Sequence, residues 1–301
     1  MLLVTGGTGY LGSVVVAVLA EEGRDVRVLA RDEERARRLL PAGVDVVIGD
    51  VFAEDPLERA VAGCSAVLHL AATVGGTPEE IRRANLDGAR RVLAAARAAG
   101  VARFVHTSTG AAIMDATGLV AEQPVAPPAL TDPYSASKAA AEELVLTAAD
   151  IESVVVSPAS IYGPSPRGPE SYNGLFRAAA AGEVPVVVDA PMAWVLAEDA
   201  ARGHVLALDR GEPGRRYVLC GEVARVGRVL HTFADAVGGQ HVALLPPGSS
   251  LGPDASTFAR RSEVYGMFPP VHVDDAGARG LGFAPRGVDE GIALTATWCG
   301  A

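Results

Sequence analysis

Lys138 is the only lysine in this 301-residue chain, in which every other one of the 26 basic residues is arginine. It stands four positions after Tyr134, one of six tyrosines. Chance would put a lone lysine at that spacing roughly one time in fifty, which gives the pair weight as a motif. On a helix the spacing puts both side chains on one face, within reach of one ligand. A compact ammonium with rotatable donors suits a crowded site in a way that a planar guanidinium does not. Beside a phenol it is expected to lower the phenol's pKa from its ordinary value near ~10 and to favour proton exchange at neutral pH. The chemistry would be carbonyl reduction, with Tyr134 giving a proton to oxygen while a cofactor delivers hydride to carbon. The plain alternative for Lys138 is a solvated surface lysine. A third donor is expected from the hydroxyl run Thr107-Ser108-Thr109, although such a run by itself more often forms a turn or a helix cap.

Three stretches near the N-terminus must position a cofactor against that pair. Val4-Thr5-Gly6-Gly7-Thr8-Gly9-Tyr10-Leu11-Gly12 places glycines at the first, fourth and seventh positions of a turn between an apolar strand and an apolar helix. Gly6 allows the tight turn, Gly9 lets backbone approach a pyrophosphate, and Gly12 lets helix pack on strand. The helix start offers free amides and a positive dipole to the anion. An ordinary strand-to-helix turn is the bland reading, and the position directly after the first strand favours dinucleotide binding. At the end of the second strand NAD sites usually carry a carboxylate, whereas this chain has Ala30 followed by Arg31. A guanidinium there grips a 2′-phosphate and favours NADP(H) over NAD(H), unless Arg31 merely opens the charged helix that follows. Asp50, after the third strand, reads equally as an adenine contact and as a cap or turn residue.

The first half alternates β-branched runs with longer helical segments, the pattern of parallel strands joined by crossover helices. Strands are expected at 2–5, 25–30, 45–48, 66–70, 104–107 and 153–156. Segments 79–99 and 135–149 read as long Ala-rich helices, apolar on more than one face, and could form a homodimer seam. Pro164, Pro166, Gly168 and Pro169 mark a breaker loop after which the alternation is lost. A helix is expected at 197–208 and a strand at 216–219 that could return to the main sheet. The fold class is therefore α/β, a Rossmann-type doubly wound parallel sheet with a smaller C-terminal lobe. Residues 1–163 and about 193–220 are assigned to the NADP-binding domain, and 164–192 with 221–301 to the substrate-binding lobe.

Composition narrows the partners. A formal net charge of −10 leaves no basic footprint for nucleic acid or an anionic membrane surface. Cys64, Cys220 and Cys299 are too scattered for a disulfide framework or a zinc site, and the six histidines lack ligand spacing, so no metal is expected. The uncharged first twenty residues lack a basic leader and are broken by glycines, which argues against a signal peptide or membrane span. A cytoplasmic enzyme acting on a small molecule is the expectation.

Taken together these residues resemble the extended short-chain dehydrogenase/reductase superfamily, in the grouping of NAD-dependent epimerases and dehydratases. The resemblance runs over nearly the whole chain. It rests on the Gly6 to Gly12 turn, Gly49-Asp50, Leu68-His69-Leu70-Ala71-Ala72, Asn85 with Gly88, Thr107-Ser108-Thr109 and Tyr134 with Lys138 and Glu142. It continues through Pro158 with Ile161-Tyr162-Gly163-Pro164 and Leu281-Gly282-Phe283. It implies that Thr109, rather than Ser108, is the catalytic hydroxyl and that Asn85 is a structural and proton-relay asparagine. It implies cofactor contacts from Tyr10, Leu11, Val51, Leu70, Ala71, Ala72 and Pro158, in addition to Gly6, Gly9, Gly12, Arg31, Asp50, Tyr134 and Lys138, and a homodimer.

Within the superfamily the sequence looks most like dihydroflavonol-reductase-like carbonyl reductases, which share an arginine at Arg31 and a proline at Pro158. Nucleotide-sugar epimerases and dehydratases are the rival reading. Their usual arginine and asparagine correspond here to Ser157 and Ser160, and the acidic pair after the catalytic threonine is replaced by Gly110, Ala111 and Ala112. Leu196 stands where the family commonly has histidine, which leaves the segment 194–199 without a role. A non-catalytic redox sensor would have no use for Tyr134 and Lys138. Substrate identity depends on loops 73–77, 110–128 and 164–172, whose low charge suggests an uncharged ligand.

Overall fold

Alternation along the first strand shows how the sheet is buried. Leu2 and Val4 pack into one core and Leu3 into another on the opposite face, so both sides of the sheet are covered. In the computed structural model, which describes residues 1–300 apart from the side chains at 257 and 258, seven strands form this sheet. They are β1 (Leu2–Thr5), β2 (Val26–Ala30), β3 (Asp45–Ile48), β4 (Ala66–His69), β5 (Arg103–Thr107), β7 (Glu152–Pro158) and β11 (Arg215–Leu219). All pair in parallel, in the order β11-β7-β5-β4-β1-β2-β3. The strand order reverses between β1 and β4, and ligands of such sheets bind outside the carboxyl ends at that point.

Helices α1 (Tyr10–Glu21), α2 (Glu33–Leu39), α3 (Glu54–Val61), α4 (Pro78–Arg82), α5 (Gly88–Ala98), α6 (Pro133–Leu146) and α8 (Ala197–Arg210) accompany the sheet. The segment expected as one helix over 79–99 is three pieces, because a π-helical turn, Arg83–Asp87, separates α4 from α5. At its centre the buried Asn85 is drawn into side-chain bonds that a regular turn would not direct the same way.

The remaining elements are the strands β6 (Leu119–Ala121), β8 (Ser160–Tyr162), β9 (Val186–Val188), β10 (Pro191–Leu196), β12 (Glu222–Arg225), β13 (Ala243–Leu245) and β14 (His272–Asp274). With them come the helices α7 (Tyr172–Ala180), α9 (Val226–Val237), α10 (Thr257–Gly266), α11 (Ala276–Gly280) and α12 (Val288–Gly300). A second core gathers around the fully buried Trp194, which Tyr162, Tyr172 and Phe176 surround with ring centroids 5.1 to 6.2 Å away. The 194–199 segment thereby acquires a structural role. Trp194 donates to the Ala224 carbonyl at 3.0 Å, Leu196 is buried, and Asp199 accepts from Arg286. Among the described residues no helix is long and apolar enough to cross a membrane.

Candidate active site

Asp132 starts the helix that carries the central pair. Its carboxylate accepts from the Ser135 amide at 3.2 Å and hydroxyl at 2.6 Å, and Pro133 opens the first turn. Tyr134 is thereby held, half-buried, at the entry of α6. One turn on, Lys138 is 2% exposed. Its Nζ donates to the Thr107 carbonyl and lies 3.4 Å from Nε2 of His106. Burial lowers the lysine to about 8, partly offset by the nearby Glu142 carboxylate. Two histidines below it, His106 and His69, stack at 5.4 Å and are kept neutral by burial, His69 at about 3. Thr5 bonds His69 Nδ1 at 2.7 Å, so the buried polar column runs from the first strand to the lysine.

The expected lowering of the Tyr134 phenol by Lys138 does not occur. Burial pushes the phenol above its ordinary value, and the groups that oppose this are the charge of Arg261 and the Thr109 hydroxyl. The lysine's ammonium is instead engaged with the carboxyl end of β5, while the guanidinium carbon of Arg261 stands 5.9 Å from the Tyr134 ring centre.

The structure separates the three hydroxyls after β5. Thr107 Oγ1 is tied to Nε2 of His204 at 3.0 Å. Ser108 is buried beside Glu142 without a well-aligned hydrogen bond. Of the three, it is the Thr109 hydroxyl that works against the rise of the Tyr134 phenol. It also caps the short 3₁₀ turn Gly110–Ala112 through the Ala111 amide. Asn85 is fully engaged: its Oδ1 accepts from the Thr73 amide at 2.8 Å, and its Nδ2 donates to the Thr73 carbonyl and to Ser137 Oγ, both at 3.0 Å. It clamps the loop after β4 to the helix of Lys138 and makes no direct hydrogen bond to Tyr134 or Lys138.

The glycine turn sits at the reversal of strand order. Gly6 has φ +76°, and a Cβ there would meet the Ala71 nitrogen at 2.5 Å; one on Gly12 would meet the Gly6 carbonyl at 2.0 Å. These contacts bring the turn against Leu70 and Ala71. A Cβ on Gly9 would meet only the Gly6 carbonyl, at 3.0 Å, and otherwise open space. No side chain caps α1 and no acid lies in its first turn, so the amides around Tyr10 and Leu11 face a cradle suited to a pyrophosphate. The residues present therefore fit a dinucleotide. Tyr10 itself turns its hydroxyl away to the Gly163 carbonyl at 2.6 Å. At the adenosine end, Ala30 is buried and the Arg31 side chain is 80% exposed, with only a 4.0 Å ion pair to Asp50. Asp50 accepts from the Phe52 amide at 2.9 Å, a turn-forming bond. Val51 is half-buried, Ala72 exposed, and Pro158 buried at the end of β7.

Sequence reasoning passed over four residues that the fold brings to this site. Arg167 donates to the Thr8 carbonyl at 3.0 Å, within the glycine turn. Arg261 on α10 stands over the Tyr134 ring, and the Tyr265 phenol on α10 and the Tyr172 phenol on α7 feel its charge as Tyr134 does. None belongs to a motif, and no local spacing pointed to them.

Such a site on a doubly wound sheet is of the extended short-chain dehydrogenase/reductase type. Residues 2–220 match the model of the NAD dependent epimerase/dehydratase family, and the chain belongs to that family. It is 40% identical over 166 residues to a 4-hydroxy-2-methyl-3-oxo-4-farnesyl-3,4-dihydroquinoline-1-oxide ketoreductase of Stigmatella aurantiaca, covering 53% of this chain and 50% of that one. It is 34% identical over 228 residues to a Synechocystis protein assigned by name as a dihydroflavonol 4-reductase, covering 72% of this chain and 66% of that one. The chain thus spans half the length of the first relative and about two thirds of the second. Among solved structures, the Thermus thermophilus UDP-glucose 4-epimerase in complex with NAD superposes with a TM-score of 0.78 at 27% identity, over 100% of this chain and 99% of that one.

Proposed function

We propose that the protein is an NADPH-dependent carbonyl reductase that reduces a ketone or aldehyde on a small molecule, as a cytoplasmic homodimer. The observation that carries this reading is a phenol kept in its protonated form by burial and set one helical turn from a buried amine. A protonated phenol is the form able to give a proton away, which suits reduction rather than its reverse.

In this reading Gly6, Gly9, Gly12 and the start of α1 bind the pyrophosphate, Arg31 binds the 2′-phosphate, and Asp50, Val51, Leu70, Ala71, Ala72 and Pro158 border the nucleoside and nicotinamide. Lys138 binds the nicotinamide ribose. A bound nicotinamide supplies hydride to the carbonyl carbon. Tyr134 gives its phenolic proton to the carbonyl oxygen, while the Thr109 hydroxyl polarises that oxygen and orients the phenol. Asn85 holds Thr73 and Ser137 and so keeps α6 in register with the sheet. We assign residues 1–163 and about 193–220 to the cofactor domain, and 164–192 with 221–301 to the substrate lobe.

The test is Tyr134→Phe. The variant should bind NADPH as the parent does, by fluorescence titration, and lose about 10²–10⁴-fold in turnover, the usual contribution of a general acid. Undiminished turnover would remove the mechanism. The epimerase likeness supplies the competing outcome: cofactor that co-purifies tightly and is regenerated, rather than NADPH that is exchanged and consumed, favours nucleotide-sugar chemistry.

A further inference from the structure

Buried polar atoms without a hydrogen-bond partner concentrate near the reacting pair. Among the described residues, His69 Nε2, His106 Nδ1, Ser108 Oγ, Glu142 Oε2 and Ser157 Oγ lie on α6 or at the carboxyl ends of β4, β5 and β7. His106 is the member of this group that reaches the lysine. It is fully buried, its ring stacks on His69 with centroids 5.4 Å apart, and its Nε2 stands 3.4 Å from Lys138 Nζ.

Charge settles which tautomer that contact needs. Burial holds both imidazoles neutral, whereas the lysine, lowered to about 8, is mostly charged at neutral pH. An ammonium has three donors and no lone pair, so Nε2 must accept and the ring proton must sit on Nδ1. That Nδ1 proton finds no acceptor among the described residues. A buried N–H left without a partner is costly, and an apolar ring such as Phe104, two positions earlier on the same face of β5, would avoid the cost. What the imidazole provides in exchange is Nε2. The Thr107 carbonyl takes a second N–H of the same ammonium, so one of the three is left over. The other ionisable groups close to Lys138 are His69 on β4, the Tyr134 phenol one turn earlier, and Glu142, which is paired with Arg216 of β11.

We propose that His106 is a positioning residue for the reaction: with the Thr107 carbonyl it holds two N–H groups of Lys138 and leaves the third for the nicotinamide ribose. This rests on the reductase reading and adds to it a residue that acts only through the lysine. Held at two points, the ammonium cannot turn all its donors back into the protein, and the acceptor Nε2 favours its charged form.

Because Lys138 is the only lysine, protein made with lysine isotope-labelled at Cε gives one side-chain NMR signal whose titration reads this ammonium directly. In the parent the signal should titrate near about 8. His106→Phe keeps a ring and removes the acceptor, and should bring the titration down to about 7 or lower, the effect of one lost bond to a charged donor. His106→Gln, whose amide oxygen reaches about as far as Nε2, should return it most of the way. The alkaline limb of kcat, followed with saturating NADPH, should move with the lysine in each variant. Should His106→Phe not fold, His106→Leu is read in the same way. A lysine that titrates alike in the parent and the apolar variant overturns the proposal and leaves the reductase standing. So does a lysine that moves while the limb of kcat stays in place, or an equal loss of turnover in the apolar and Gln variants at every pH. If no carbonyl compound is reduced by the parent, the reductase reading fails, and with it the role in the reaction; the NMR titration still decides whether His106 holds the ammonium.

Discussion

Lys138 and Tyr134 are neighbours on one helix face and yet do different electrostatic work. With its phenol raised by burial, Tyr134 stays protonated well into alkaline conditions, so the first ionisation met on raising pH belongs to the lysine. A base whose folded value is lowered to about 8 is charged below that pH and neutral above it. The groups facing it are the Thr107 carbonyl, the neutral His106 and the Glu142 carboxylate. Turnover that depends on the ammonium should therefore decline as pH rises through about 8, measured as kcat with saturating NADPH. A profile flat to pH 10 would detach Lys138 from the reaction. At the other end of the cofactor cleft, Arg31 is exposed and has one distant partner. Arg31→Ala should raise KM for NADPH about 10–100-fold with little effect on NADH, and the change should shrink with added salt. If NADPH and NADH respond alike, the guanidinium has no phosphate to hold.

Elements meet at buried polar joints whose breakage costs more than their formation contributes. Glu142 on α6 is buried and pairs with Arg216 on β11, which also donates to the Glu122 carbonyl. Arg216→Ala would strand a carboxylate already raised by burial, with an expected loss of about 3–5 kcal/mol in urea unfolding. The paired change Glu142→Leu with Arg216→Met should recover most of that loss, since neither charge is then left alone. A double variant no more stable than the single one would mean that the pair contributes more than its own desolvation. The π turn around Asn85 belongs to the same level of organisation. The 3.6-residue period over 79–99 announced a helix, but the wide turn depends on Thr73 and Ser137, which reach Asn85 only after the chain has folded.

Across the whole molecule, two cores are joined beside the cofactor cleft. Tyr10 leaves the glycine turn to donate to Gly163 at 2.6 Å and accepts from Asn173 on α7 at 2.8 Å, while Ser165 donates to the Tyr10 carbonyl at 2.9 Å. Tyr10→Phe should lower stability by about 1–2 kcal/mol, read from the denaturant midpoint. A shift within error would show that packing alone joins the two cores.

Much of this architecture could be read before folding. Parallel strands, the glycine turn and the Tyr134 to Lys138 spacing depend on hydrogen bonds and steric limits between residues close in the chain, so composition and period sufficed to locate them. Tertiary structure alone decided which cation meets the phenol and in which direction its acidity moves. Desolvation and Coulomb interactions sum over whatever atoms surround a group, and here those atoms come from helices as distant in sequence as α6, α7 and α10.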